Sequence, residues 1–346
     1  MAKQSGFERI LYFDMLRGLA IICVVIIHSS NMGFQFPDDS FNFNFTILSR
    51  QLINIAVPLF LAISGYFLIK KNISNLDEYF SFIKKQIPKI YIPFLFWSSV
   101  LFILGVLIFN KSIFHELFKL VIFQSSGPYY FIALIIQYYM LLPLLKHLAN
   151  FRGLIISLVI SLVTVGIIFY IRNYMGINLP LILYAGNFPI LLVFFVLGLY
   201  LGSLKEISIN NKLLISLIIT FYLLSCLESY FIYSLFGDGG IAATAMKPTS
   251  FMFSIFLIIY LFKNIDFFKS KILEYLGKIS FGIYLIHVFM LAVIPPLIIK
   301  FSPSLVENQF IYQFILASTT LIFCFLIILI ARKILPIKII EIIGFK

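Results

Sequence analysis

The residues best suited to chemistry are ionisable groups that lie inside long apolar runs. They are Arg17, His28, Glu228 and His287. An ionisable group in such a run costs about 2.5–3.5 kcal/mol or more unless it has a partner, a wet cavity or a function. These four side chains are therefore the first candidates for a functional site.

Arg17 and His28 belong to the first apolar run and are eleven residues apart. On one helix they would differ by about 20° in direction and about 16 Å in height, so they would share a face. Arginine can hold phosphate or carboxylate bidentately, and a neutral imidazole can accept a hydroxyl proton. This pair suits transfer from a charged carrier. The alternatives are an ion pair of Arg17 with Asp14, snorkelling of Arg17 to lipid phosphate, and a headgroup position for His28.

The other two candidates each have two interpretations. Glu228 could orient His28 or bind an acceptor hydroxyl, or it could simply pair with a basic residue. His287 is equally consistent with catalysis and with a structural hydrogen bond between helices. The three cysteines fall in apolar runs without metal-ligand spacing, so no metal site is expected.

Composition identifies the surroundings of these residues. Of 346 residues, 62% are hydrophobic and 12% are charged, which is too apolar for a soluble fold. The net charge of +12 is spread over short clusters between apolar runs, which argues against nucleic acid as a partner. We expect an all-α polytopic membrane protein, a single integral-membrane domain over residues 1–346, with the lipid bilayer as its solvent.

About ten spanning helices are predicted at about 20 apolar residues per crossing. They lie near residues 11–31, 50–69, 90–109, 128–145, 153–171, 187–204, 213–236, 248–263, 279–299 and 309–331. With both termini in the cytoplasm, the inner side collects nineteen of the 26 Lys and Arg residues and the outer side six, Arg17 being inside the first helix. The helix count and the positive-inside rule agree.

Three motifs resemble the membrane-bound acyltransferase family 3. The first is DMLRGLA at residues 14–20 followed by VVIIH at 24–28, with that family's Arg-x10-His spacing. The others are PLFLAISGYF at 58–67 and LGKISFGIYLIH at 276–287. Two segments depart from the family pattern. KKQIPK at 84–89 stands in place of an Arg-rich segment, and GPYYF at 127–131 in place of a His-Leu-Trp-Phe-like motif. Lysine keeps the charge but loses the planar fork of arginine.

The resemblance implies transfer of an acetyl or other short acyl group from cytoplasmic acyl-CoA to a hydroxyl of a cell-surface glycan. Acetyl-CoA would be a donor substrate, with no tightly bound cofactor. His28, Arg17 and Glu228 are the expected catalytic residues, and Arg17, Lys85 and Lys89 the expected donor-binding residues. The expected substrate-binding residues are Ser64, Tyr129, Tyr130, Tyr284 and His287.

The expected location is the plasma membrane of a bacterium, as a multi-pass protein. A homo-oligomer or a glycan-synthesis complex stays open as the assembly. The rival class is a transporter or flippase for a polysaccharide or lipid-linked sugar, in which the same intramembrane charges would line a pathway. A third class is a scaffold in an envelope complex, for which Arg17 and His28 would be dispensable.

Overall fold

The structure is a computed structural model that describes residues 2–265 and 267–346, with side-chain surroundings from residue 11 onward. No strand occurs in the described residues, which confirms the all-α prediction. In chain order the α-helices are α1 (Ala2–Ser29), α2 (Phe41–Ile53), α3 (Ala56–Leu68), α4 (Leu76–Leu107), α5 (Ile113–Val121), α6 (Tyr130–Met140), α7 (Leu142–Lys146), α8 (Phe151–Asn173), α9 (Leu181–Tyr184), α10 (Leu192–Ser203), α11 (Asn211–Phe236), α12 (Gly239–Ala242), α13 (Pro248–Lys263), α14 (Lys271–Lys278), α15 (Ser280–Phe301), α16 (Gln309–Ile334) and α17 (Ile337–Ile342).

Eight helical stretches of the described chain are long and apolar enough to cross a membrane. They are Leu11–Gln35, Phe41–Leu68, Leu76–Leu107, Phe151–Asn173, Leu181–Ser203, Asn211–Phe236, Ser280–Phe301 and Gln309–Ile334. The chain is therefore a multi-pass membrane protein. The remaining two predicted crossings fall on shorter helices, namely α13 and the pair α6 and α7. A total of about ten crossings, with both termini inside, stays a prediction.

The predicted span at 128–145 is interrupted in the structure. Helix α6 ends at Met140 and α7 begins at Leu142, with Pro143 in its first turn. Proline has no N–H to donate and its ring clashes with the preceding turn, so it is best accommodated in the first turn of a helix. The apolar run is continuous in sequence, but the helix is not.

Helix α4 begins well before the predicted start of its span at residue 90. The side chain of Asn75 accepts a hydrogen bond from the N–H of Glu78 and so caps the helix. Lys84, Lys85 and Lys89 consequently lie on α4 rather than in a segment before it. The prediction started at residue 90 because hydropathy detects only the apolar part of a helix. The helix itself continues beyond the apolar layer wherever its backbone groups are hydrogen-bonded.

The chain divides into two compact units. The first unit comprises residues up to Ile63, Leu204–Ser280 and Phe289–Phe325. Within it, α1 packs closely on α14 at two glycines. A Cβ at Gly18 would lie 2.0 Å from the Leu273 carbonyl oxygen, and one at Gly277 only 1.7 Å from the Asp14 carbonyl oxygen. Only residues without a side chain permit this backbone approach.

The second unit comprises Ser64–Ser203, Phe281–Val288 and Leu326–Lys346. Its centre is α10, whose residues Leu192–Leu197 are all buried. Helix α8 packs against it, and the hydroxyl of Ser161 donates to the Pro189 carbonyl (3.0 Å) and accepts from the Val193 N–H (3.2 Å). The Ser161 hydroxyl therefore pairs with a carbonyl and an N–H at the start of α10. In an apolar interior these backbone groups have no water with which to form hydrogen bonds.

Candidate active site

One uninterrupted helix carries both residues of the Arg-x10-His spacing. Helix α1 runs from Ala2 to Ser29, and Arg17 and His28 are both half-buried on it. Their separation along the helix axis is about 16 Å at the standard rise per residue. The two residues therefore mark two separate positions along α1, and both positions lie in the first unit.

The part around Arg17 is ionic. Arg17 Nη1 donates to Asp14 Oδ1 at 2.6 Å, and the Arg17 side chain is 33% exposed. Close by on α14, Lys278 donates to Glu274. This carboxylate and the nearby Asp14 raise the pKa of Lys278 above its ordinary value. The Asp14 ion pair considered from the sequence is thus present, and a third of the arginine side chain remains accessible around it.

The part around His28 is polar. His28 occupies the last turn of α1, where backbone carbonyls lack partners within the helix. The Ser29 hydroxyl donates to the Val25 carbonyl (2.7 Å), and Arg50 of α2 donates to the Ile27 carbonyl (2.8 Å). Arg50 stands at the start of the predicted crossing near residues 50–69, whereas the structure puts it in the last turn of α2, where it donates to α1. Its position after three phenylalanines in a mostly apolar segment was the available signal.

Glu228 has a partner at the start of α13. Its Oε2 accepts hydrogen bonds from both the N–H and the hydroxyl of Thr249. The carboxylate therefore stabilises the N-terminal turn of α13, where unpaired N–H groups and the helix dipole favour an anion. Within the described residues no hydrogen bond or ion pair joins Glu228 to His28.

A buried lysine lies near Glu228. Lys247 is 1% exposed, and its ammonium donates to Gln51 Oε1 (2.9 Å), to the Ser229 hydroxyl, and to the carbonyls of Ser225 and Ala242 (both 3.1 Å). These acceptors belong to α2, α11 and α12. Lys247 immediately precedes the predicted crossing near residues 248–263, and its burial was not predicted. Hydropathy could not reveal its burial, because the acceptors that permit it lie on three different helices.

Three of the expected substrate-binding residues come together in the second unit. The Tyr129 hydroxyl donates to the Leu285 carbonyl (2.7 Å), and that of Tyr284 donates to the Pro128 carbonyl. His287 is fully buried, with Nδ1 2.6 Å from the Tyr284 carbonyl oxygen. The two hydroxyls thus hold the turn before α6 against α15. The His287 contact lies within α15 rather than between helices, so both interpretations of His287 stay predictions.

Ser64 and Tyr130 are half-buried in the same unit. Ser64 precedes Gly65, at which an added Cβ would lie 2.2 Å from the Phe195 carbonyl oxygen. The Ser-Gly pair therefore marks a close contact of α3 with α10, as small residues do between membrane helices. The substrate-binding roles of Ser64 and Tyr130 stay predictions.

The basic residues of α4 are exposed. Lys84 and Lys85 line an open groove of about 430 Å³ together with Asp77, Phe80 and Ser81. Lys89 lies apart from that groove, near Glu341 of α17. Lys346, at 2.6 Å, and the charge of Lys89 lower the pKa of Glu341. In the described residues no group of three or more His, Cys, Asp or Glu side chains is arranged to hold a metal ion.

The fold and the residues of α1 define the class of this protein. It is a multi-pass helical membrane protein, and the Arg-x10-His spacing on its first helix resembles that of membrane acyltransferases. The family model Acyl_transf_3, described as an acyltransferase domain, matches residues 10–329. The chain belongs to this acyltransferase family, and it is a membrane acyltransferase. The resemblance drawn from three motifs is thereby confirmed at the level of the family.

Two curated relatives are similar to the chain. ORF330 of Acidianus two-tailed virus, provisionally named an acetyltransferase, is 27% identical over 255 residues, which are 68% of this chain and 72% of the viral protein. An amino-acid racemase of Enterococcus faecalis is 38% identical over 85 residues, which are 25% of this chain and 11% of the racemase. No solved structure matches the chain.

Proposed function

We propose that this acyltransferase moves an acetyl or other short acyl group from cytoplasmic acyl-CoA to a hydroxyl of an extracytoplasmic glycan in a bacterial plasma membrane. The observation that carries the proposal is the single helix α1, which presents Arg17 at one level and His28 three turns further along. The name of the viral relative supports acetyl as the transferred group.

His28 is the general base in this proposal. Its neutral imidazole takes the proton from the acceptor hydroxyl while the oxygen attacks the thioester carbon. The carbon–sulfur bond breaks, and the coenzyme A thiolate leaves and takes up the proton from the imidazolium. The products are the acyl ester and free coenzyme A, so the proton balance closes without another reactant. The thioester supplies the activation, and the protein supplies orientation and the base.

Arg17 binds the phosphates of the donor in this proposal. A guanidinium forms bidentate contacts with phosphate, and the ion pair with Asp14 holds it in one orientation. The pantetheine arm of coenzyme A is an extended, flexible chain that can follow three helix turns toward His28. The groove at Lys84 and Lys85, with the ring of Phe80, offers charge and a stacking surface for a nucleotide, and its contribution is tested separately.

The test uses the purified full-length chain in lipid vesicles. Labelled acetyl-CoA is supplied on one side and a panel of envelope glycans on the other, and transferred label and free thiol are both measured. His28→Ala is expected to abolish both signals. His147→Ala is the matched control, because His147 is a residue of the segment between α7 and α8 and is expected to leave transfer unchanged.

Continued transfer by the His28→Ala variant would show that the imidazole is not the general base. Glycan movement across the vesicle without acylation would favour the transporter class.

Arg17→Ala should raise the KM for acetyl-CoA by about tenfold or more, since a charge-assisted phosphate contact contributes about 1.5–3 kcal/mol. An unchanged KM would contradict donor binding by Arg17. Lys84→Ala combined with Lys85→Ala tests the groove by the same measurement.

A further inference from the structure

The carbonyl groups at the end of α1 are held by side chains from two other helices. Arg50 of α2 donates to the Ile27 carbonyl (2.8 Å), while Gln309 and Gln313 of α16 donate to the carbonyls of Ser30 (3.1 Å) and Ile26 (3.4 Å). His28 lies between these anchored peptides. A helix end that emerges into water can rely on solvent for its last carbonyls, whereas one buried in an apolar layer cannot.

Arg50 is the strongest of the three anchors. Its bond to Ile27 is the shortest, and it is the one that carries a charge, which is favourable at a helix C-terminus. The same nitrogen also donates to the Ser30 hydroxyl (3.0 Å), which in turn donates to the Ile27 carbonyl (2.8 Å). The ring of Phe34 supports the guanidinium at 5.8 Å.

Arg50 does not form an ion pair with a carboxylate of the described residues. Within the described part of the chain no Asp or Glu oxygen lies within 4.0 Å of its guanidinium, and its Nε is sealed from solvent without an acceptor. Burying a charge without a carboxylate partner is costly, so the acceptors at the end of α1 must compensate the guanidinium. The interactions of this arginine are directed instead at the last turn of α1.

The Ile27 carbonyl belongs to the peptide unit whose nitrogen is that of His28. Fixing this peptide fixes the direction in which the His28 side chain leaves the helix. We propose that Arg50 is the positioning residue of His28, and that it prevents the last turn of α1 from fraying while the imidazole receives the acceptor proton. This inference rests on the proposed function, because it takes His28 as the base.

The test compares three arginine variants in lipid vesicles, with acetyl-CoA as donor and free thiol as the readout, each rate divided by the amount of folded protein. Arg50→Met is expected to lower kcat by about 100-fold, the usual cost of misplacing a catalytic group by about 1 Å. KM for acetyl-CoA should stay within about threefold, since in the proposed function the donor phosphates bind at Arg17, about 16 Å from His28 along α1. Arg50→Lys keeps a charged donor and should recover at least about tenfold.

Arg172→Met is the matched control. Arg172 is likewise half-buried, occupies the last turn of α8 and lies over an aromatic ring, that of Tyr184, at 3.8 Å. Its removal should leave kcat unchanged. If Arg50→Met lowers only the yield or melting temperature, with kcat per folded molecule within about threefold of the parent, Arg50 is merely structural and the inference fails.

The outcome for His28→Ala separates this inference from the proposed function. If that variant is inactive while Arg50→Met is fully active, the base assignment stands and the positioning role is overturned. If His28→Ala is active, the base assignment itself fails, and any effect of Arg50→Met on kcat must have another origin.

Discussion

The contact between α14 and α1 at Gly277 offers a sharp test of how Arg17 is positioned. A methyl group at this position would lie 1.7 Å from the Asp14 carbonyl oxygen and 2.6 Å from its carbon. Real Cβ atoms essentially never approach closer than 3.0 Å, so Gly277→Ala must separate the two backbones by at least about 1.3 Å. Backbone atoms cannot move aside as the end of a side chain can.

This displacement acts on the residue that pairs with Arg17. Overpacking of this kind costs about 1–3 kcal/mol of stability, and a shift of about 1 Å can cost about 100-fold in rate. We expect Gly277→Ala to lower kcat/KM for acetyl-CoA by about 100-fold and to lower the unfolding midpoint in detergent. The measurements are thiol release at varied donor concentration and thermal unfolding of the same sample.

Gly166→Ala in α8 is the matched control, since an added Cβ there meets nothing within 4 Å. It should leave activity unchanged and stabilise the helix by up to about 1 kcal/mol. Parental kcat/KM together with a parental midpoint for Gly277→Ala would refute the close contact. A lower midpoint with parental kcat/KM would leave the contact correct and show that the position of Arg17 does not govern donor use.

Two further predictions concern the polar residues around α13. Lys247→Met should lower the free energy of unfolding by about 3 kcal/mol or more, because several buried acceptors lose their donor at about 1–3 kcal/mol each; chemical denaturation in detergent measures this, and an equally stable variant would contradict the network. Glu228→Gln should keep transfer within about threefold, because an amide oxygen can still accept from Thr249, whereas Glu228→Leu should cost about 1 kcal/mol of stability. Loss of activity in the Gln variant alone would show that the negative charge of Glu228 is required.

Much of the architecture was predictable because a bilayer imposes long apolar helices. The apolar run around Arg17 and His28 is continuous helix as expected, and α13 has the predicted bounds of residues 248–263. The run at 128–145 is divided between α6 and α7, because Pro143 interrupts the helical hydrogen bonds without interrupting the apolar run. Apolar composition predicts where lipid or protein replaces water, whereas backbone hydrogen bonding decides where a helix ends.

Only part of the candidate site could be predicted from the sequence. The family spacing pointed to Arg17 and His28 because both lie on one helix, at an interval that the helix repeat makes meaningful. Arg50 and Lys247 were missed because their partners are backbone carbonyls and an amide oxygen on other helices. Such acceptors exist at every residue, so nothing in their side-chain chemistry marks them in advance.

Helices α8 and α10 are similarly apolar but have different surroundings in the second unit. Residues of α10 are enclosed by protein, whereas Ile156, Val159, Val163 and Ile167 of α8 are exposed. A photoactivated carbene reagent dissolved in the lipid would consequently attach to α8 and spare α10. The interior of this unit is an apolar environment like the lipid. Polar substitutions in α10 would therefore be unfavourable there, as they would be in the bilayer.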